Sequence, residues 1–128
     1  MTLAYLDSSA FVKTIVIEPE SRRLVEWLRQ WPDRACSALV RTEAIRAVRP
    51  HGPDVVQAAR AALAGLQLIQ LDAILLDAAA DLEADVRWLD AIHLAAAQAL
   101  GVDLGVVVTY DDRMARAARQ LGMEVAGP

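Results

Sequence analysis

The chain has 128 residues, of which 55% are hydrophobic and 5% are aromatic. This length fits a single domain over residues 1–128 and allows a core that needs no disulfide or structural metal. The formal net charge of −4 excludes a protein that binds nucleic acid through its overall charge alone. The single cysteine, Cys36, excludes an intrachain disulfide, and the sequence has neither a signal-peptide pattern nor a long uninterrupted apolar stretch. We therefore expect a cytoplasmic protein without a membrane segment.

Short apolar runs alternate along the chain with segments of helical periodicity. In chain order, the predicted elements are a strand over residues 3–6, helices over 8–16 and 18–31, a strand over 35–37, helices over 38–48 and 54–66, a strand over 68–71, helices over 74–82 and 90–100, a strand over 105–109, a helix over 111–121 and a strand over 123–125. Ser8 or Ser9 is predicted to cap the first helix. Alternation of short strands with helices is typical of an α/β fold with a mainly parallel central sheet.

Acidic residues follow the predicted strands at the points where catalytic groups of parallel sheets gather. Asp7 directly follows the first strand, and Asp111 lies two residues after the strand over 105–109. Glu43 is predicted about two turns into the helix over 38–48, and Asp90 opens the helix over 90–100. Because the carboxyl ends of parallel strands border one crevice, all four side chains can project into it.

Such a group of acids has two physical interpretations. Each close pair of carboxylates costs on the order of 4 kcal/mol at an effective dielectric constant near 20, so a cluster needs protonation or a bound cation. Oxygen ligands select hard divalent ions such as Mg²⁺ or Mn²⁺, and these ions can activate water for attack on a phosphodiester. The alternative for each acid taken singly is a helix cap.

Several segments carry motifs that occur in the same order in one protein family. They are residues 5–13 (YLDSSAFVK), 18–21 (EPES), 37–46 (SALVRTEAIR), 89–97 (LDAIHLAAA) and 107–114 (VVTYDDRM), followed at a helix length by Leu121 and Gly122. On these segments, which spread over the whole chain, the sequence resembles the PIN-domain ribonucleases, and most closely the VapC toxins of bacterial toxin–antitoxin pairs.

The resemblance implies a PIN-like three-layer α/β/α sandwich and an endoribonuclease. The enzyme would hydrolyse RNA phosphodiester bonds by metal-activated water, with Mg²⁺ or Mn²⁺ as its cofactor. The resemblance assigns both the catalytic and the metal-binding roles to Asp7, Glu43, Asp90 and Asp111. It also implies a homodimer and a cognate antitoxin, encoded nearby, that blocks the site.

Polar residues beside the four acids are candidates for supporting roles. The Thr-x-Asp pattern favours Asp111 over Asp112 as the fourth acid, and Asp112 then supports the site or caps a helix. Ser9 and Thr109 resemble the polar residues that steady the metal-binding acids. His93 lies one turn beyond Asp90, and we expect it to pack or to support the acids rather than to donate a proton.

Two further sets of residues have open interpretations. Arg113 and Arg116 either guide RNA phosphates or belong to a solvated helix face. The tryptophans at 27 and 31 lie on one apolar face of the helix over 18–31, which is either core or, together with Phe11, a groove for an antitoxin helix.

Two rival functions have different signatures. A phospho-accepting receiver domain needs an acidic pair by its first strand and a lysine at a late strand end, whereas here Asp7 is followed by Ser8, and the only lysine, Lys13, lies in the first predicted helix. A PIN-like module that binds RNA or protein without cutting it is the alternative to an enzyme. Metal-dependent turnover distinguishes the two.

Overall fold

A computed structural model describes residues 2–128 of the chain, which form five strands and seven α-helices. The strands are β1 (Leu3–Leu6), β2 (Arg34–Ser37), β3 (Gln67–Ile69), β4 (Leu104–Val108) and β5 (Val125–Ala126). The helices are α1 (Ser8–Lys13), α2 (Ser21–Trp27), α3 (Val40–Val48), α4 (Pro53–Leu63), α5 (Ala73–Ala80), α6 (Trp88–Ala99) and α7 (Asp112–Gln120). In this part of the chain, no helix has both the length and the hydrophobicity to cross a membrane.

The strands form one sheet in the order β3-β2-β1-β4-β5, and every neighbouring pair is parallel. The first strand of the chain therefore lies at the centre of the sheet. All four residues of β1 are buried, which explains why its sequence is continuously apolar rather than alternating. The prediction of a mainly parallel α/β sheet is confirmed.

Successive side chains of a strand point to opposite faces of the sheet. Here apolar side chains lie on both faces, and helices cover both. Tyr5 and Val107 belong to a hydrophobic cluster formed with α5, α6 and α7. Leu6 and Val108 belong to a second cluster formed with α1, α2, α3 and α4. The predicted three-layer α/β/α sandwich is therefore confirmed, with a core on each side of the sheet. Cys36 is fully buried in the second cluster, as a small apolar filler.

The first two helices are shorter than the sequence predicted. Asp7, rather than Ser8 or Ser9, caps α1, and the helix ends at Lys13 instead of continuing to residue 16. The second helix begins at Ser21 and tightens into a 3₁₀ turn over Leu28–Gln30. Aspartate and serine are about equally good helix caps, so the sequence did not decide which of these residues would be the cap.

Two candidate acids occupy helix positions that differ from the prediction. The third helix begins at Val40, so Glu43 lies in its first turn and not two turns in. The sixth helix begins at Trp88, so Asp90 lies within its first turn instead of opening it. In both cases the shift leaves the acid near a helix N-terminus, where a negative charge is favoured.

Candidate active site

The candidate site lies where β1 and β4 end side by side at the centre of the sheet. On the side of β1 away from β4, the next strand of the sheet is β2, and on the side of β4 away from β1 it is β5. Such a change of direction opens a crevice at the carboxyl ends of the two strands. Asp7 directly follows β1, and Thr109 directly follows β4.

Asp7 is held by hydrogen bonds to both of its carboxylate oxygens. Oδ1 accepts from the backbone N–H of Ala10 at 2.8 Å and from the Ser9 hydroxyl at 2.9 Å. Oδ2 accepts from the Thr109 hydroxyl at 2.5 Å. The side chain is only 5% exposed. These donors therefore replace the water molecules that the carboxylate loses when it is buried. Asp7 is thus both the cap of α1 and a fixed acid in the crevice.

Glu43 is held by two side chains that approach the same oxygen. The Ser8 hydroxyl donates to Oε1 at 2.8 Å, and His93 Nε2 lies 2.8 Å from the same atom. Burial alone would raise the pKa of Glu43, but the hydrogen bonds from His93 and Ser8 bring that pKa below its usual range. Glu43 is therefore kept ionised.

A buried hydrogen-bond chain orients His93. The backbone N–H of Ser37 donates to the Tyr5 hydroxyl at 3.0 Å, and that hydroxyl lies 2.7 Å from His93 Nδ1. The Tyr5 hydroxyl at Nδ1 and the Glu43 carboxylate at Nε2 thus hold the ring at both of its nitrogens, with Nε2 facing Glu43. His93 is 3% exposed. The supporting role predicted for His93 agrees with this geometry.

Asp90 stands close enough to two other acids to feel their charge. Burial raises the pKa of Asp90 above its usual range, the charge of Asp111 raises it further, and Asp7 adds a smaller effect, while Arg87 and His93 lower it. Among residues 2–128, no Lys, Arg or His side chain lies within ion-pair distance of Asp7, Asp90 or Asp111. Asp111 and Asp7 therefore repel the charge of Asp90, and Arg87 and His93 offset this repulsion only from beyond ion-pair distance.

Asp111 is the N-terminal cap of α7 and still has capacity for a ligand. Its Oδ1 accepts from the Met114 N–H at 3.0 Å, and its own N–H donates to the Thr109 hydroxyl at 3.1 Å. Thr109 thus joins Asp111 to Asp7. Asp112 is the first residue of α7 and is exposed, as are Arg113 and Arg116 on the same helix.

The acids do not converge as a preformed coordination sphere. Across residues 2–128, no group of three or more His, Cys, Asp or Glu side chains is arranged to hold a metal ion. Asp7 and Asp111 lie close enough to Asp90 for their charges to act on it. Glu43 is linked to the residue after Asp7 by the hydrogen bond from the Ser8 hydroxyl. The catalytic and metal-binding assignments of these residues stay predictions.

Tyr5 and Ser8 were not identified from the sequence as parts of the site. From the sequence, Tyr5 is indistinguishable from any other residue of a buried strand. Its hydrogen bond to His93 joins residues that are 88 positions apart. Ser8 bonds to a residue 35 positions away. The available signal was their place beside Asp7, at the end of the central strand.

The aromatic face of the second helix packs mainly inward. Leu24 and Leu28 are fully buried, and Trp27 and Trp31 are partly buried against the second hydrophobic cluster. The two indole rings stack with their centroids 5.9 Å apart. Phe11 is 3% exposed and is part of the same cluster, which agrees with the core interpretation of this face.

Comparison with known proteins identifies the family to which this chain belongs. The PIN domain family matches residues 4–120. The chain belongs to the PIN family. It is 52% identical over 129 residues to Ribonuclease VapC46 of Mycobacterium tuberculosis, a match that covers 100% of this chain and 99% of that protein. It is 40% identical over 131 residues to Ribonuclease VapC35 of the same organism, with 98% of this chain and 97% of that protein covered.

Solved structures of similar proteins share the fold of this PIN domain. Mycobacterium tuberculosis VapC20, described as a toxin that cleaves the sarcin–ricin loop, matches with a TM-score of 0.77 and 17% identity, covering 98% of this chain and 99% of that one. A chain of a toxin–antitoxin complex from Klebsiella pneumoniae matches with a TM-score of 0.78 and 21% identity, covering 98% and 97%. The resemblance to PIN-domain proteins of the VapC type, inferred from the motifs, is confirmed.

Proposed function

We propose that this PIN domain is an endoribonuclease that hydrolyses RNA phosphodiester bonds with the help of Mg²⁺ or Mn²⁺. The names of its relatives support the activity, because proteins that are 52% and 40% identical over almost their whole length are ribonucleases. In this proposal Asp7, Glu43, Asp90 and Asp111 are the acids that bind the metal and direct the reaction.

The observation that carries the proposal is the group of acids at the centre of the sheet, none of which has a Lys or Arg at ion-pair distance within residues 2–128. Asp7, Asp90 and Asp111 offer only carboxylate oxygens, which are the ligands that hard divalent ions prefer. The charge of Asp111 already raises the pKa of Asp90, and a bound cation would remove that repulsion. Such an ion supplies charge stabilisation at the phosphodiester and activates water.

The residues around the acids hold them so that oxygens remain available. Both hydrogen bonds to Glu43 go to Oε1, and both backbone contacts of Asp111 leave its Oδ2 unused within residues 2–128. Ser9 and Thr109 fix the orientation of Asp7. Because these supports come from the protein itself, the acids lose little freedom when an ion and a substrate bind.

We further propose that the chain is the toxin of a toxin–antitoxin pair and acts in the cytoplasm. The VapC names of its relatives and the Klebsiella pneumoniae toxin–antitoxin complex support this role. A cognate antitoxin would block the acid crevice, and the active form would be a homodimer. Light scattering of the purified chain, with and without the product of an adjacent reading frame, tests both assembly proposals.

The deciding experiment is cleavage of total cellular RNA by the purified chain. We expect cleavage with Mg²⁺ or Mn²⁺, none with EDTA, and a loss of at least about 100-fold in the Asp90→Asn variant, since removal of one preorganised group that stabilises developing charge typically costs about 10²–10³ in rate. Asp77→Asn is the matched control, because Asp77 is exposed on α5. Folded protein that cuts no RNA under any of these conditions would point to a module that binds RNA or protein without cutting.

A further inference from the structure

A groove rich in arginine lies between α3 and α4, outside the group of acids. Its volume is about 670 Å³, and its walls include four arginines, at positions 41, 46, 49 and 60. No Asp or Glu contributes to its lining. Thr42 and Gln57 add polar groups, while Ile45 and Val56 are the apolar part of its lining. We call this feature the arginine groove.

The charges of the arginine groove are not balanced by the protein. All four arginines are exposed, and within residues 2–128 none has a carboxylate at ion-pair distance. The contrast is Lys13, which pairs with Glu18 at 3.5 Å and Glu20 at 3.1 Å. In a chain with a net charge of −4, this concentration of unpaired positive charge marks a place for an anionic ligand.

We propose that the arginine groove binds the phosphate backbone of the RNA substrate, an inference that rests on the proposed ribonuclease function. The third helix connects the two features, because it carries both Glu43 and Arg46. Arg46 lies about 4.5 Å and Arg49 about 9 Å beyond Glu43 along the helix direction, at 1.5 Å per residue. A strand held at the acids is therefore within reach of the groove.

The side chains of the groove suit phosphate better than an acidic protein segment. A guanidinium group presents paired N–H donors that match two phosphate oxygens. Thr42 and Gln57 add hydrogen-bonding groups that can reach phosphate or ribose oxygens. Phosphates repeat at every nucleotide, so several arginines in one groove can be satisfied by a single strand.

The test is binding of a fluorescently labelled, mixed-sequence single-stranded RNA of about 20 nucleotides to the full-length chain in EDTA. Without divalent ions the RNA is not cleaved, so anisotropy reports binding alone. Loss of two phosphate contacts lowers the salt slope of log K by about 1.4, which corresponds to about 25-fold weaker binding at 0.1 M salt. We expect this loss in the double variant Arg46→Gln/Arg49→Gln.

Matched variants separate a local effect from a general charge effect. Arg22→Gln/Arg119→Gln removes the same charge from exposed positions on α2 and α7 and should change the affinity less than about 3-fold. Arg46→Lys/Arg49→Lys should keep the salt slope, since each lysine retains the charge. Thermal unfolding checks that each variant is folded, and Arg60→Gln tests the α4 side of the groove independently.

Each result has a defined meaning. Unchanged RNA affinity in Arg46→Gln/Arg49→Gln, or an equal loss in the Arg22/Arg119 control, would overturn the inference. A poly-glutamate peptide is the competing probe: if the groove variant loses peptide binding and keeps RNA binding, the groove serves an acidic protein segment instead. RNA binding that depends on the groove in a chain that cuts no RNA would refute the proposed function and leave the groove intact as a site.

Discussion

Thr109 is the residue that joins the two central strands at the site. Its hydroxyl donates to Asp7 Oδ2 at 2.5 Å and accepts from the backbone N–H of Asp111 at 3.1 Å. One side chain thus orients a buried acid after β1 and sets the start of the turn after β4. Its own burial, at 3% exposed, means that water does not replace either bond when the hydroxyl is removed.

Replacing this hydroxyl should damage both stability and cleavage. Thr109→Val keeps the shape of the side chain but leaves an oxygen of buried Asp7 without its donor, which should cost about 1–3 kcal/mol in the free energy of unfolding. Urea unfolding measures the loss, and RNA cleavage should fall with it because Asp7 is no longer fixed. Thr2→Val, at an exposed position just before β1, is the control. Equal stability of the two variants would contradict the role assigned to Thr109.

The acids were easier to predict from the sequence than the residues that support them. Asp7 and Asp111 follow strand ends, and a strand end is readable from a short apolar run such as residues 105–109. Tyr5 and Ser8 act through partners that are 88 and 35 positions away. No local pattern encodes such contacts, since they exist only after the sheet and the helices have packed.

The elements themselves were predicted in type and order, and the errors lie at their ends. The strand over 3–6 was correct because it is apolar throughout and is followed by an acid. The helix expected to end at residue 16 ends at Lys13, because residues beyond it turn toward α2 and Ser21 bonds back to Val16. Helix ends depend on such tertiary bonds, which local propensity does not contain.

Gly105 in β4 lies so close to Trp31 that any side chain at position 105 should destabilise the protein. A Cβ at Gly105 in β4 would overlap Cζ3 and Cη2 of the Trp31 indole and lie 3.2 Å from Cβ of Thr2. Because the indole packs against the second cluster, it has little room to move, and Gly105→Ala should cost about 1–3 kcal/mol in urea unfolding.

The same contact provides its own control by a double-mutant cycle. In a Trp31→Leu background the Gly105→Ala change should cost much less, since the overlapping ring atoms are gone. Gly65→Ala is the matched glycine control, because its nearest atom would lie at 3.4 Å, an ordinary contact. A cost of Gly105→Ala that is the same with Trp31 and with Leu at position 31 would place the strain elsewhere.

At the scale of the whole molecule, charge is divided unevenly over the surface. Carboxylates gather at the ends of β1 and β4, and arginines without an ion-pair partner in residues 2–128 gather between α3 and α4. The net charge of −4 hides this division, which is why composition excluded RNA binding through overall charge but could not reveal a local RNA-binding site. Only the fold shows which charges are neighbours.

A divalent ion that binds the acids should stabilise the whole chain. Ligand at 100 times its Kd adds about 2.7 kcal/mol to the free energy of unfolding, which for a chain of this length raises Tm by roughly 10 °C. We expect Mg²⁺ or Mn²⁺ to produce this rise in EDTA-treated protein and in Asp77→Asn, and not in Asp90→Asn. A rise that persists in Asp90→Asn would show that the ion binds elsewhere.

The central place of β1 also sets the order in which the protein can be completed during its synthesis. This strand is made first, yet it pairs in the sheet with β4, for example Tyr5 with Val107. Until the ribosome has translated residues 104–111, a nascent chain carries Asp7 without Thr109 or Asp111. Contacts so distant in sequence form late, so Asp7, Asp90 and Asp111 can meet only after the ribosome has passed residue 111.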